Sequence, residues 1–185
     1  MWSTTRLSWD NAELRVHRIK FHDRTCDKRP HGHGFRLRNF AADMRNITEI
    51  IVHCTATPRS RNVSVAEIDS WHRQRGFNQI GYHYVVALDG TVHRGRDESI
   101  AGAHCLGHNA GSIGVAYVGG TEADGTPADT RTPQQRESLT ALLASLLRRY
   151  PGSSVRGHRD FAAKACPSFD ATAEYARLCK GYHAT

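Results

Sequence analysis

Two apolar runs rich in β-branched residues constrain this chain most. Ile47 to His53 (ITEIIVH) and Ser112 to Val118 (SIGVAYV) both read as short buried strands. Buried strands need a sheet beside them and helices over them, and the segments between supply both. Ser64-Val65-Ala66-Glu67 has the S-x-x-E form of a capping box, followed by Ile68 and Trp71 at helical spacing and stopped by Gly76. Tyr82 to Leu88 and Thr91 to Arg96 flank Asp89-Gly90, a strong hairpin signal. Thr132-Pro133-Gln134-Gln135 opens a helix with Pro at its first position. That helix carries Leu139, Leu142, Leu143, Leu146, Leu147 and Tyr150 on one stripe, with Arg148 and Arg149 at its C-terminal end and Pro151 as its stop. A brief strand around Val155 leads to His158, and Asp170 caps a last helix through Tyr175 and Leu178. Strands alternate with helices, so the expected class is α/β: a single domain with a central mixed β-sheet flanked by helices, the hairpin making the sheet mixed.

At 185 residues the chain has room for one ordinary domain and a short extension, and for a hydrophobic core without staples. No window approaches eighteen consecutive apolar residues, so no transmembrane helix or membrane insertion is expected. The first thirty residues carry Arg6, Asp10, Glu13, Arg15 and Arg18 without an apolar h-region, which reads against a secretory signal peptide. The formal charge of +7 is concentrated at one end: residues 1–46 hold ten Lys/Arg against five Asp/Glu. That segment lacks helical or strand periodicity, and Asp27 to Gly34 (DKRPHGHG) is loop chemistry. We therefore expect a basic, weakly ordered extension over 1–46 and the folded domain over 47–185, with Met44 an alternative start. Five irregularly spaced cysteines do not form a disulfide framework and suggest folding in a reducing compartment. Twelve histidines make a metal site worth seeking.

Three residues stand out by position. His53 ends a buried strand, His158 follows a second short strand, and Cys166 lies in a Pro-flanked loop (Lys164-Ala165-Cys166-Pro167). Two imidazoles and one thiolate would make a three-ligand zinc site with an open fourth position for water. Sequence separation leaves an alternative open, two polar edge histidines and a buried thiol, because the ligands are more than a hundred residues apart.

The motifs decide between them by resemblance. His53-Cys54-Thr55-Ala56-Thr57, Gly81-Tyr82-His83-Tyr84, Asp89-Gly90-Thr91-Val92, Gly95-Arg96 and Ser112-Ile113-Gly114-Val115 occur in that order, followed by His158 and by Lys164 to Asp170 (KACPSFD). Over about residues 47–180 the chain resembles the zinc-dependent N-acetylmuramoyl-L-alanine amidases of type 2, above all the amidase-type lysozymes of T-seven-like bacteriophages. Peptidoglycan recognition proteins are more distant relatives. The resemblance implies a peptidoglycan hydrolase, an endolysin that uses zinc-activated water on the amide joining N-acetylmuramic acid to L-alanine. It implies one Zn2+ per chain on His53, His158 and Cys166, with Tyr82 and Lys164 as the catalytic pair. Lys164 would stabilise the developing oxyanion, and the Tyr82 hydroxyl would bond the attacking water or the tetrahedral intermediate. Trp71, His104 and Asn109 fall on or near positions that line the peptidoglycan groove in relatives; Trp71 also suits the apolar face of its own helix.

One departure concerns proton transfer. Some amidases of the family carry Glu two residues after the Gly of S-I-G, where this chain has Ala116, and the recycling amidases of the superfamily use Asp where it has Cys166. Both features point to the phage-lysozyme and recognition-protein branch. His83, next to Tyr82 on the strand, is expected on the opposite face as a buried, hydrogen-bonded histidine. By the same logic Cys54 faces the core, where Cys105 and Cys179 also serve as small hydrophobes. A second metal on His22, Cys26, His31 and His33 is set aside in favour of solvated loop residues. The rival functions are a non-catalytic peptidoglycan-binding protein, usually marked by loss of the Cys ligand, and a regulator bound to phage RNA polymerase. Direct nucleic-acid binding by the basic extension is a third. The expected protein is a monomer that accumulates in the host bacterial cytoplasm before lysis and reaches the wall through a holin-type pore.

Overall fold

The computed structural model describes residues 45–183. In chain order they form β1 (Glu49–Cys54), β2 (Thr57–Pro58), α1 (Val65–Gln74), β3 (Tyr84–Val86), β4 (Val92–Arg94), β5 (Ser112–Tyr117), β6 (Gly120–Thr121), α2 (Pro133–Arg149), β7 (Ser154–Gly157), α3 (Ala171–Glu174) and α4 (Ala176–His183), with single 3-10 turns at Asn109–Gly111 and His158–Asp160. The two apolar runs are neighbours: the main sheet has the order β4-β3-β5-β1-β7, parallel except for the β3–β4 hairpin, and β2 pairs with β6 at its margin. The mixed sheet predicted from the hairpin is therefore the one found.

Alternation along β1 and β5 supplies two cores. Ile50, Val52, Cys54, Ile113, Val115 and Tyr117 face α2, whose Leu139, Leu142, Leu143, Leu146 and Leu147 close the larger core. Each such leucine contributes about 1.5–3 kcal/mol by leaving water. The opposite face of the sheet meets α1, where Ile68 packs with Val63, Ile80, Val85 and Val118. Thr132 and Gln135 form a reciprocal capping box on α2 behind Pro133. The fully buried Gln135 then spends its amide hydrogens on the carbonyls of Val86 and Val118, at 3.2 and 2.8 Å. Ser64 caps α1 by accepting from Glu67 N–H at 3.2 Å.

The hairpin loop and the last helix differ from the sequence expectation. Val86 pairs with Val92 and the Ala87 N–H donates to the Thr91 carbonyl, so the hairpin loop is the three residues Leu88-Asp89-Gly90, with Gly90 in the left-handed region (φ +84°). The last helix is two pieces, because the backbone leaves helical geometry at Tyr175. The Tyr175 ring is buried against Phe169, and its hydroxyl accepts from the guanidinium of Arg131.

Arg45, assigned from sequence to the extension, is tied into the domain. Its guanidinium donates to the carbonyls of Glu98, Asn109, Ala110 and Ser112. Cys54 and Cys105 are buried, and Cys179 is half-buried against the larger core. Residues 1–44, with His22, Cys26, His31 and His33, lie outside the described residues. Among the described residues, no helix is long and apolar enough to cross a membrane.

Candidate metal centre

Parallel register builds the site. Val52 of β1 lies opposite Gly157, the last residue of β7, so His53 and His158, the residues that follow them, emerge at the same C-terminal edge with ring centroids 4.6 Å apart. The loop after His158 brings Cys166 over them. That loop is held by the Arg159 N–H on the Cys166 carbonyl (2.7 Å), the Tyr117 hydroxyl on the Pro167 carbonyl (2.6 Å) and the Ser168 hydroxyl on the Gly120 carbonyl (2.7 Å). Cys166 Sγ lies 3.8 Å from His53 Nδ1, and one ligand atom each from His53, His158 and Cys166 falls within 4.8 Å of the others. Zinc bonds of about 2.3 Å to sulfur and 2.0–2.1 Å to nitrogen at tetrahedral angles separate S from N by about 3.6 Å. Both the spacing and the donor set of two imidazoles and one thiol thus fit a catalytic zinc.

Electrostatics favour the ligating forms of the histidines. Burial, then the charges of His104, His158 and Lys164, hold His53 well below the ordinary histidine range, and burial with Lys164 lowers His158. Both imidazoles are therefore neutral near pH 7 and keep a lone pair for a cation. A hydrogen bond with Cys54, then burial, pushes the Cys166 thiol up, so its proton leaves when a cation takes its place. Tyr82 packs 5.1 Å from the His53 ring, and burial followed by the two cysteines raises its phenol, which stays a donor at neutral pH. Lys164 is exposed on the ligand loop.

Trp71 is half-buried against the α1 core with the Arg61 guanidinium 5.0 Å above its ring. It lines a small cleft with Thr55, His72, Arg75 and Tyr82, the last of which packs on His53. Asn109 Oδ1 accepts from the N–H groups of His104 and Cys105, at 2.8 and 3.0 Å, and so fixes the loop that carries His104. His104 Nδ1 lies 3.0 Å from His53 Nε2. Ala116 is the Cα partner of His53 across β1 and β5, so the family's alternative Glu would stand on this same face; here it is a buried methyl. A cavity of about 250 Å³ lies elsewhere, along β3, β4 and the end of α2, and its walls hold the Arg149–Glu98 pair.

His83 is the buried, hydrogen-bonded histidine predicted, accepting from Gly114 N–H at 2.9 Å. Its separation from Tyr82 by strand alternation does not hold: β3 starts only at Tyr84, and both rings approach His104, with centroids 5.7 and 6.5 Å away. Sequence reasoning missed His72, whose Nδ1 accepts from Gly81 N–H at 2.8 Å and whose ring packs 5.1 Å from Tyr82. Its place one turn after Ile68, on the apolar face of α1, was the available signal.

Residues 43–169 match the N-acetylmuramoyl-L-alanine amidase family. The chain is 50% identical over 121 residues to the endolysin of Enterobacteria phage T3, covering 65% of this chain and 80% of that one. It is 49% identical over 121 residues to the endolysin of Escherichia phage T7, with the same coverage. Among solved structures it is similar to the N-acetylmuramoyl-L-alanine amidase LysC from Clostridium intestinale, with a TM-score of 0.63, 35% identity and coverage of 72% of this chain and 85% of that one.

Proposed function

The chain belongs to the N-acetylmuramoyl-L-alanine amidase family, and we propose that it works as a zinc enzyme with His53, His158 and Cys166 as ligands and Tyr82 and Lys164 as catalytic groups. It is an amidase that hydrolyses peptidoglycan, of the endolysin kind. The bond cut is the amide between N-acetylmuramic acid and L-alanine. Held by His53, His158 and Cys166, a zinc ion would supply Lewis-acid polarisation of the scissile carbonyl and a water whose pKa is lowered to about 7. The protein does the rest. His53 and His158, neutral through burial, and Cys166 hold the cation at the sheet edge. Tyr82 keeps its phenolic proton and donates it as a hydrogen bond to the oxygen on which negative charge develops. The Lys164 ammonium, two residues before Cys166, adds positive charge at the same oxygen. With Ala116 at the family's Glu position, proton transfer proceeds without a carboxylate there.

The observation that carries this reading is the convergence of three ligand atoms within 4.8 Å beside the Tyr82 ring. Purified protein should contain about one zinc and release muramic acid ends from cell walls, with both lost on chelation and regained with zinc. Full cleavage after exhaustive metal removal overturns it. A non-catalytic binder is disfavoured because all three ligands are present. Regulation of a phage-type RNA polymerase would appear in a pull-down with that enzyme. The site is complete within one chain, and light scattering tests the expected monomer. Passage to the wall through a holin-type pore is overturned if fractionation before lysis finds the protein outside the membrane.

A further inference from the structure

His53 offers two nitrogens, and only one can face a metal. Nδ1 points to Cys166 Sγ (3.8 Å), while Nε2 lies 3.0 Å from His104 Nδ1. Which nitrogen carries the proton follows from a chain of bonds that ends on the backbone. The Ser112 hydroxyl donates to the His108 carbonyl at 2.8 Å, which commits its only proton. Its oxygen can then only accept from His104 Nε2, 3.4 Å away, so His104 carries its proton on Nε2 and presents a bare Nδ1. A bare Nδ1 accepts, so His53 must donate from Nε2. That leaves the lone pair of His53 Nδ1 free on the side of Cys166 and His158.

The fold makes a slot for the His104 ring. A Cβ on Gly102 would meet His104 Cδ2 at 2.3 Å, and one on Gly114 would meet the same atom at 2.5 Å, so only glycine at both positions admits the imidazole. The slot closes on β5, the strand beside β1, and the Asn109 side chain clamps the His104 backbone N–H.

We propose that His104 is a positioning residue: it fixes the tautomer and the ring orientation of His53 so that His53 Nδ1 is presented to the metal. This rests on the zinc reading above. It assigns His104 a role through His53, distinct from touching substrate. Partners of this kind on a ligating histidine change metal affinity by roughly 10–100-fold when removed.

The test combines nitrogen-15 NMR of the metal-free wild-type protein with zinc affinity measured by competition against a chromophoric chelator. His53 should appear as the Nε2–H tautomer. His104→Leu, which removes the acceptor, should weaken zinc binding by roughly 10–100-fold, and His104→Asn, whose carbonyl oxygen can take the place of Nδ1, should recover most of it. The proposal is overturned by an Nδ1–H tautomer at His53, by wild-type affinity in His104→Leu, or by equal losses in the two variants. If His104→Leu does not fold, the tautomer of the wild-type protein decides alone. A wild-type protein that takes up no zinc overturns the metal reading itself, a different result from any of these.

Discussion

Gly114→Ala probes the slot without touching any group that reacts. The added methyl would lie 2.5 Å from His104 Cδ2, 2.6 Å from Cγ and 2.7 Å from Nε2, against ordinary carbon contacts of about 3.5–4.0 Å. The ring must move by about 1 Å in a slot that Gly102 also borders. Overpacking of this kind costs about 1–3 kcal/mol, offset by about 0.5–1 kcal/mol from replacing glycine within a strand. At about 2–4 °C per kcal/mol for a chain of this size, the metal-free protein should melt several degrees lower. A shift of about 1 Å would also stretch the 3.0 Å His53–His104 bond beyond hydrogen-bond range, so zinc affinity should fall as in His104→Leu. The control is the same substitution in a His104→Ala background, where the methyl enters vacated space. There its cost should vanish or reverse, a coupling of about 1–3 kcal/mol in thermal or denaturant unfolding. Equal cost of Gly114→Ala in both backgrounds, or a variant that melts and binds zinc as the wild type does, would refute the slot.

Tyr82→Phe and Lys164→Ala remove no ligand, so both should retain zinc by elemental analysis while losing turnover by roughly a hundredfold, the cost of one oxyanion-directed hydrogen bond. Cys166→Ser should instead lose the metal; zinc-loaded Tyr82→Phe and Lys164→Ala at near wild-type rates would exclude the assigned pair. Burial holds His83 down at about 4 against 6.5 for an ordinary histidine. The unfolded chain therefore binds a proton that the folded chain refuses, and stability from this residue is lost as pH falls from about 6.5 toward 4, by up to about 1.4 kcal/mol per pH unit. Urea midpoints of the metal-free protein that stay level between pH 7 and 5 would contradict this. Deleting residues 1–43 keeps the Arg45 clasp on Glu98, Asn109, Ala110 and Ser112, so cleavage of soluble muropeptides should stay nearly unchanged. A truncated protein that fails to fold would place the domain boundary earlier.

How much of this was legible in the sequence depends on the range of the interaction that fixes each feature. Caps, the hairpin and the leucine stripe are set within a few residues, and Ser64, Asp89-Gly90 and Thr132-Pro133 all act where local chemistry predicts. Tyr175, where the last helix divides, is held by the Arg131 guanidinium from 44 positions away and packs on Phe169, and no helical period announces the division. The alternation argument failed for Tyr82 because it assumed a strand beginning two residues before the one that forms. Arg45 read as one more charge of a basic segment, since the carbonyls it binds come from loops 53 to 67 positions away.

The proposed metal centre depends on strand order in a way that local patterns cannot express. β1 runs between β7 and β5, so its last residues have a neighbour on each side. On the β7 side the register of Val52 with Gly157 brings His158 next to His53 and leads into the loop that carries Cys166. On the β5 side Gly114 leaves room for His104, and Ser112 sets the direction of the bonds that reach His53 Nε2. The strand end thus has Cys166 on one flank and His104 on the other, each facing a different nitrogen of the His53 imidazole. A motif comparison finds Ser112-Ile113-Gly114 and His104 as separate marks in the chain. Only the fold brings the serine, glycine and histidine together beside the His53 ring, and on the proposed role of His104 substitutions at Gly114 and His104 should be non-additive in zinc affinity.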